Sequence, residues 1–300
     1  MFKCYGCHRQ FLGGNRVQNQ DLWIEYQSGK QTLSQLSEKY GLSIKTIQRR
    51  LDSVKIDSLS LEGYKDLSKA RVILMDTTYF GRNFGVMVLK DSQGNNLYLR
   101  FIKYETIAFY IEAVNHLKAQ GVQIKGIVCD GRKGLISALG EYPVQMCQFH
   151  QSAIVTRYIT RKPRIQASIE LKEIVHLLPR TDKESFFGAL EEWEIKWHDF
   201  IHERAINPDT GKSRYIHKRL RSAYMSLKRN KQYLFTWYDH PELDIPNTNN
   251  LLEGTFTDLK NKLRCHNGLS KRRKEKFIIG FLKASTRGID IKKADLSQPL

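Results

Sequence analysis

The sequence lacks the marks of several protein classes. No apolar run is long enough to cross a bilayer: the most apolar late stretch, residues 277–282, falls far short of the ~20 residues a spanning helix needs. Residues 1–11 carry no apolar signal region, so no membrane association is expected. Cysteines are few, and their odd count at 4, 7, 129, 147 and 265 does not suit a disulfide framework. A reduced, cytoplasmic location is the expectation. The 7 prolines and 20 glycines are too few for a low-complexity chain of 300 residues, and 41% hydrophobic residues suffice for a real core. Acidic residues are also scarce, with 31 Asp and Glu against 49 Lys and Arg, giving a net +18 and a pI near 9.6. Such an excess points to a polyanionic partner, and with membranes set aside that partner is nucleic acid.

The segment F-K-C-Y-G-C-H-R-Q-F sets Cys4 and Cys7 at C-x2-C spacing around Gly6, the geometry of a zinc knuckle. A tetrahedral site needs four ligands; His8 offers a third, and no second pair lies nearby. Two readings stay open, a remnant of a zinc site or a start that omits the other knuckle, and zinc itself is doubtful. Residues 1–14 are accordingly read as a partial zinc-ribbon remnant.

Residues 15–54 are read as a helix-turn-helix domain, with helical periodicity from Asn19 to Leu51. Leu22, Trp23 and Tyr26 mark a first helix ending near Gly29; Thr32 caps a second, Gly41 breaks it, and Ser43 caps a third. This is helix-turn-helix spacing. The third helix would present Lys45, Thr46, Gln48, Arg49 and Arg50 to DNA, over a small core of Leu36, Leu42, Ile44, Ile47 and Leu51. Polar residues 55–70 read as a linker.

The chain beyond is organised around R-V-I-L-M-D-T-T-Y-F, in which the buried-strand run Val72 to Met75 ends in Asp76. Strands are expected over 84–89 and 97–102 with a turn at 91–95, then a helix over 106–120. A buried strand over 124–129 closes in Asp130-Gly131, and a short helix and a strand over 144–147 follow. The order β-β-β-α-β-α-β is that of an α/β, ribonuclease-H-like mixed five-stranded sheet. Past His150 only helices are expected, with Phe186, Leu190, Trp193, Trp197 and Phe200 forming one apolar stripe. The catalytic domain is thus drawn over 71–163 and 247–290, interrupted by an all-helical insertion over 164–246.

In this fold the first and fourth strands are neighbours, so Asp76 and Asp130 would meet at the sheet rim. Such carboxylates repel unless a cation lies between them. Glu253, on a helix following T-N-N, would supply a third, and hard oxygen donors favour Mg²⁺ or Mn²⁺ over zinc. Two such ions would support in-line displacement at phosphorus. Cys147 and His150 form a C-x2-H read as structural, with Cys147 packing and His150 hydrogen-bonding near the acids. From Arg204 to Lys231 nine Lys and Arg face Asp209 alone; from Lys260 to Lys293 twelve face two acids. Within the second run Lys260, Lys262, Arg264, Lys271, Arg272 and Arg273 are candidates for phosphate contact.

Together these segments resemble bacterial insertion-sequence transposases related to the Mutator superfamily, in the variant group with an N-terminal zinc ribbon. The resemblance runs over nearly the whole chain. It rests above all on D-T-T-Y-F, V-C-D-G-R-K-G-L, M-C-Q-F-H and T-N-N-L-L-E-G-T-F-T-D-L-K. It implies a catalytic Asp-Asp-Glu triad at Asp76, Asp130 and Glu253, recognition of element ends in double-stranded DNA, strand cleavage and transfer to a target, and a homo-oligomer assembled on DNA. The missing knuckle leaves an alternative: an inactive or truncated transposase-derived DNA-binding protein. A host nuclease of the same fold is a further rival.

Overall fold

A computed structural model describes residues 2–11, 17–56 and 69–286. Linker residues 57–68 and the cationic positions Arg287, Lys292 and Lys293 therefore lie outside the described residues. The chain forms two compact units, residues 1–58 with 257–284 and residues 59–256 with 285–300.

The first unit opens with a hairpin of β1 (Phe2–Lys3) and β2 (Gln10–Phe11) that carries the C-x2-C turn. Three helices follow, α1 (Asn19–Gln27), α2 (Leu33–Tyr40) and α3 (Ile44–Ser53). Thr32 starts α2 with a capping box: its hydroxyl accepts the Gln35 N–H at 3.3 Å and its own N–H donates to Gln35 Oε1 at 2.8 Å. Gly41 ends α2 with φ +61°, a left-handed conformation that glycine adopts without a Cβ penalty. Leu22, Leu36 and Ile47 are fully buried. Ile44, expected in this core, is instead 46% exposed, because it occupies the first position of α3 and the turn before it faces solvent; Leu42 is only half-buried.

The second unit is built on five strands: β3 (Arg71–Tyr79), β4 (Gly85–Asp91), β5 (Asn96–Ile102), β6 (Ile124–Cys129) and β7 (Val144–Met146). Their order is β5-β4-β3-β6-β7, with β3, β4 and β5 antiparallel and β6 and β7 parallel additions. This is the mixed sheet of a ribonuclease-H-like fold. Helices α4 (Ile107–Ala119) and α5 (Leu135–Ala138) make the crossovers, and α6 (Gln148–Ile159) follows the last strand. At the β4–β5 turn Asp91, fully buried, accepts the Gln93 and Asn95 N–H groups on one oxygen and the Asn95 amide and Arg71 guanidinium on the other.

Beyond α6 come α7 (Gln166–Leu177), α8 (Lys183–His202), α9 (Lys218–Leu234) and α10 (Thr236–Asp239). The region is not all helical. A hairpin of β8 (Arg204–Ile206) and β9 (Ser213–Tyr215) interrupts it, closed by Asn207, whose side-chain oxygen accepts the Asp209 and Thr210 N–H groups. Phe186, Leu190 and Trp193 are buried; Trp197 and Phe200 are partly exposed. Buried Gln145 and Gln148 both donate to the Leu234 carbonyl, satisfying the end of α9 and fastening it beside β7.

The last helices are α11 (Asn250–Arg264) and α12 (Lys271–Ala284). From Thr257 onward the chain through α12 belongs to the first unit, not to the catalytic domain drawn from the sequence. The cause is burial: Phe277 of α12 is 1% exposed and packs on Trp23 and Tyr26, with ring centroids 6.4 and 5.9 Å away. Burying such a ring contributes about 1.5–3 kcal/mol.

Candidate active site

Asp76 does not end its strand as the apolar run suggested. β3 continues to Tyr79 because Thr77, Thr78 and Tyr79 go on pairing with β4, whereas the parallel ladder with β6 stops at Leu74↔Val128. Continuing that register brings Asp76 level with Asp130. Asp76 therefore sits where β3 has lost its parallel neighbour, 8% exposed, with Oδ1 accepting the Thr77 N–H at 2.8 Å.

Asp130 follows the last residue of β6, and its Oδ1 accepts the Arg132 N–H at 3.1 Å. The glycine after it leaves room for a neighbouring side chain. A Cβ on Gly131 would lie 2.2 Å from Met146 Cε, so any larger residue would push the buried Met146 side chain aside.

Glu253 comes from the first turn of α11 and His150 from the first turn of α6. His150 Nε2 lies 3.3 Å from Glu253 Oε1 and 4.0 Å from Asp76 Oδ2. One ligand atom from each of Asp76, His150 and Glu253 lies within 4.8 Å of the others. Asp130 is not a member of that tight group. The structure thus joins two of the three expected acids to the histidine and sets the third acid beside them.

The electrostatics suit a cation. Burial, then the charge of Glu253, holds the Asp76 carboxyl well above the usual carboxylate range. Burial and then the charge of Glu105 raise Asp130. Burial opposes a charged His150, but the adjoining Cys147 sulfur and the charges of Glu253 and Asp130 outweigh it and raise the imidazole. Carboxylates crowded in this way, with an imidazole nitrogen among them, are a donor set that accepts a divalent ion.

Sequence reasoning missed three groups around these side chains. Glu105 precedes the Thr106 cap of α4 and takes the Arg132 guanidinium on Oε2 at 2.8 Å and on its carbonyl at 3.1 Å. Tyr110 donates to Glu105 Oε1 and shares a 2.9 Å bond with Thr77. Asn249 binds three elements at once. Only its place in T-N-N, ahead of the acidic turn, hinted at a capping role.

Cys147 is fully buried and accepts the Asn249 N–H at 3.2 Å. At the other end of the chain, hydrogen bonds from Cys7 and Gly6 lower the Cys4 thiol. Among the described residues no third ligand joins Cys4 and Cys7; His8, with φ +58°, is not grouped with them.

Among the DNA candidates Lys45, Arg49, Arg264, Lys271 and Arg272 are exposed, and Thr46, Gln48 and Lys260 are partly so. Lys271 lies 3.9 Å from Glu275 and Arg264 bonds Asn261 at 3.4 Å, each within its own helix, while three others are engaged with more distant residues. Arg50 donates to the Val17 carbonyl at 3.1 Å and Lys262 to the Ser28 carbonyl at 3.1 Å, while Arg273 forks onto Asp52 at 3.0 and 2.7 Å.

A mixed sheet of this strand order, with helices on its crossovers, defines a ribonuclease-H-like protein. The chain belongs to the Mutator family of transposases, whose family model matches residues 83–260, more than half of it. It is a DNA transposase, and so a nucleic-acid-cleaving enzyme. The matched stretch contains Asp130, His150 and Glu253 and begins after Asp76. Among solved structures the chain is similar to the Drosophila P element transposase strand transfer complex, with 13% identity, 95% of each chain covered and a TM-score of 0.39. It is also similar to the simian T-cell lymphotropic virus intasome in complex with the PP2A regulatory subunit B56 gamma. That match has 13% identity, covers 69% of this chain and 68% of that one, and has a TM-score of 0.22. No curated protein matches the sequence. Among the described residues no helix is long and apolar enough to cross a membrane.

Proposed function

We propose that Asp76, Asp130 and Glu253 hold the divalent cations, Mg²⁺ or Mn²⁺, with which this transposase cuts DNA at the ends of an insertion sequence and joins them to a target. The observation that carries this reading is the convergence of Asp76 and Glu253, far apart in the chain, with His150 inside 4.8 Å. Two bound ions would activate the attacking hydroxyl and stabilise the departing 3′ oxygen. The protein's own part is to present the acids from rigid elements and to keep them partly dry, which strengthens every charge interaction there. His150 orients Glu253 through the 3.3 Å contact. Arg132 holds Asp130 through its N–H while its guanidinium neutralises Glu105, the acid whose charge acts on Asp130.

On the DNA side, α3 would enter the major groove at the element end with Lys45, Thr46, Gln48 and Arg49 foremost, and Arg264, Lys271 and Arg272 would contact phosphates. A homo-oligomer on DNA and a nucleoid location in a bacterial cytoplasm complete the proposal. Replacing Asp76 or Asp130 by Asn abolishes cleavage of DNA carrying the flanking repeats in Mg²⁺ and leaves DNA binding within a few-fold. Cleavage retained by either variant refutes the triad.

A further inference from the structure

Resting on that metal-site reading, we propose that Asn249 is a positioning residue of the site, whose side-chain amide ties the start of the helix bearing Glu253 to the strand bearing Asp76. Asn249 is fully buried. Its Nδ2 donates to the Met75 carbonyl at 2.9 Å, one residue before Asp76. Its backbone N–H donates to Cys147 Sγ at 3.2 Å, and Cys147 leads into the α6 turn that carries His150. The Cys147 N–H in turn donates to the Cys129 carbonyl at 2.8 Å, the residue before Asp130. Finally, the Asn249 carbonyl accepts the Leu252 and Glu253 N–H groups at 2.9 Å each, which starts α11 at the turn holding Glu253.

Stability alone argues against an asparagine here. Its Oδ1 is buried with no partner, which costs about 1–3 kcal/mol, and an apolar side chain would avoid that cost. What an apolar residue cannot do is tie α11 to the carbonyl beside Asp76. One turn further on, Lys90 donates to Thr255 at 2.6 Å and fastens α11 to β4, so the helix is held on both sides of Glu253. Groups that orient metal ligands in this way typically change metal affinity by about 10–100-fold when removed.

The test is Mn²⁺ binding to the full chain, read from the electron paramagnetic resonance signal of free Mn²⁺. The proteins compared are wild type, Asn249→Leu, Asp76→Asn and Leu171→Ala. Leucine keeps the branched shape of asparagine, is somewhat larger, and has no donor. Asn249→Leu is expected to bind Mn²⁺ about tenfold more weakly or worse while remaining folded by circular dichroism. Leu171→Ala, a core truncation in α7, lowers the thermal midpoint and leaves Mn²⁺ affinity unchanged, as a merely structural Asn249 would also do. If the leucine variant does not fold, Asn249→Ser, too short to span to Met75, gives the same loss. Wild-type Mn²⁺ affinity in the folded Asn249 variant, with binding lost in Asp76→Asn, overturns the positioning role and leaves the metal site standing. Wild-type affinity in Asp76→Asn overturns both.

Discussion

His150 Nε2 lies 3.3 Å from Glu253 Oε1 and 4.0 Å from Asp76 Oδ2, a single imidazole placed between two carboxylates from different elements. Its position gives it two effects, to fix the direction of Glu253 and to offset the repulsion between the acids. His150→Ala should therefore slow metal-dependent DNA cleavage by about 10–100-fold, the range expected for a group that orients metal ligands. Single-turnover cleavage and DNA affinity measured in parallel test this. A variant that cuts at the wild-type rate removes the imidazole from the mechanism.

Much of this site is legible along the chain because buried strands write a plain signal. Val72 to Met75 and Ile127 to Cys129 are apolar runs that each meet an aspartate, and neighbouring strands make such aspartates neighbours. The apolar run stops at Asp76 although β3 goes on to Tyr79, because from there only an antiparallel partner remains and polar Thr77 and Thr78 carry no buried-strand signal. Asn249 is legible only as a helix cap, and the roles of Glu105 and Arg132 not at all. Their importance comes from hydrogen bonds across the fold, and no periodicity announces a polar residue whose partners lie far away in sequence. The β8–β9 hairpin left only a turn signal, Asn-Pro-Asp-Thr-Gly, since strands of three residues are too short to show alternation.

The basic residues divide by what already holds them. Arg273 forks onto Asp52, and Lys276 donates to the Leu51 and Asp52 carbonyls at the end of α3, so both serve the first unit's own packing. Arg49 and Arg272 are exposed. Arg49→Ala and Arg272→Ala should weaken DNA binding and each reduce the salt slope by about one ion. Arg273→Ala should instead lower stability by about 0.2–1 kcal/mol, since its ion pair is well exposed to water. Anisotropy titrations at several salt concentrations, beside thermal melts, separate the two groups. An Arg273→Ala protein with unchanged melting and lost DNA affinity would place Arg273 on DNA instead.

The buried pair of Arg71 and Asp91, 2.5 Å apart with side chains 6% and 0% exposed, makes a different demand. Asp91→Asn keeps an acceptor for the Gln93 and Asn95 N–H groups but takes the opposing charge from Arg71. Leaving a buried guanidinium without its carboxylate typically costs about 3–5 kcal/mol. Urea unfolding of the variant should show that loss at pH 7. A change below about 1 kcal/mol would mean that Arg71 does not depend on the pair.

Glu170 joins α7 to α8 and gives the second unit a pH dependence of its own. Its Oε1 accepts Lys196 at 2.8 Å and Gln166 at 3.1 Å, and its Oε2 accepts the Trp197 indole N–H at 2.8 Å. These bonds, that from Lys196 foremost, pull its carboxyl down to about 2. A carboxyl depressed in the folded state stabilises fully above its unfolded value, about 4.3, and that contribution fades as pH falls toward 2. Glu170→Gln removes the titrating group while keeping its size. The gap in urea midpoint between wild type and Glu170→Gln should then be constant from pH 7 to 5 and close progressively below pH 4.5. A gap that persists unchanged at pH 3 would show that these bonds hold α7 to α8 without regard to the charge on Glu170, and that the acid sensitivity of this helical pair arises elsewhere.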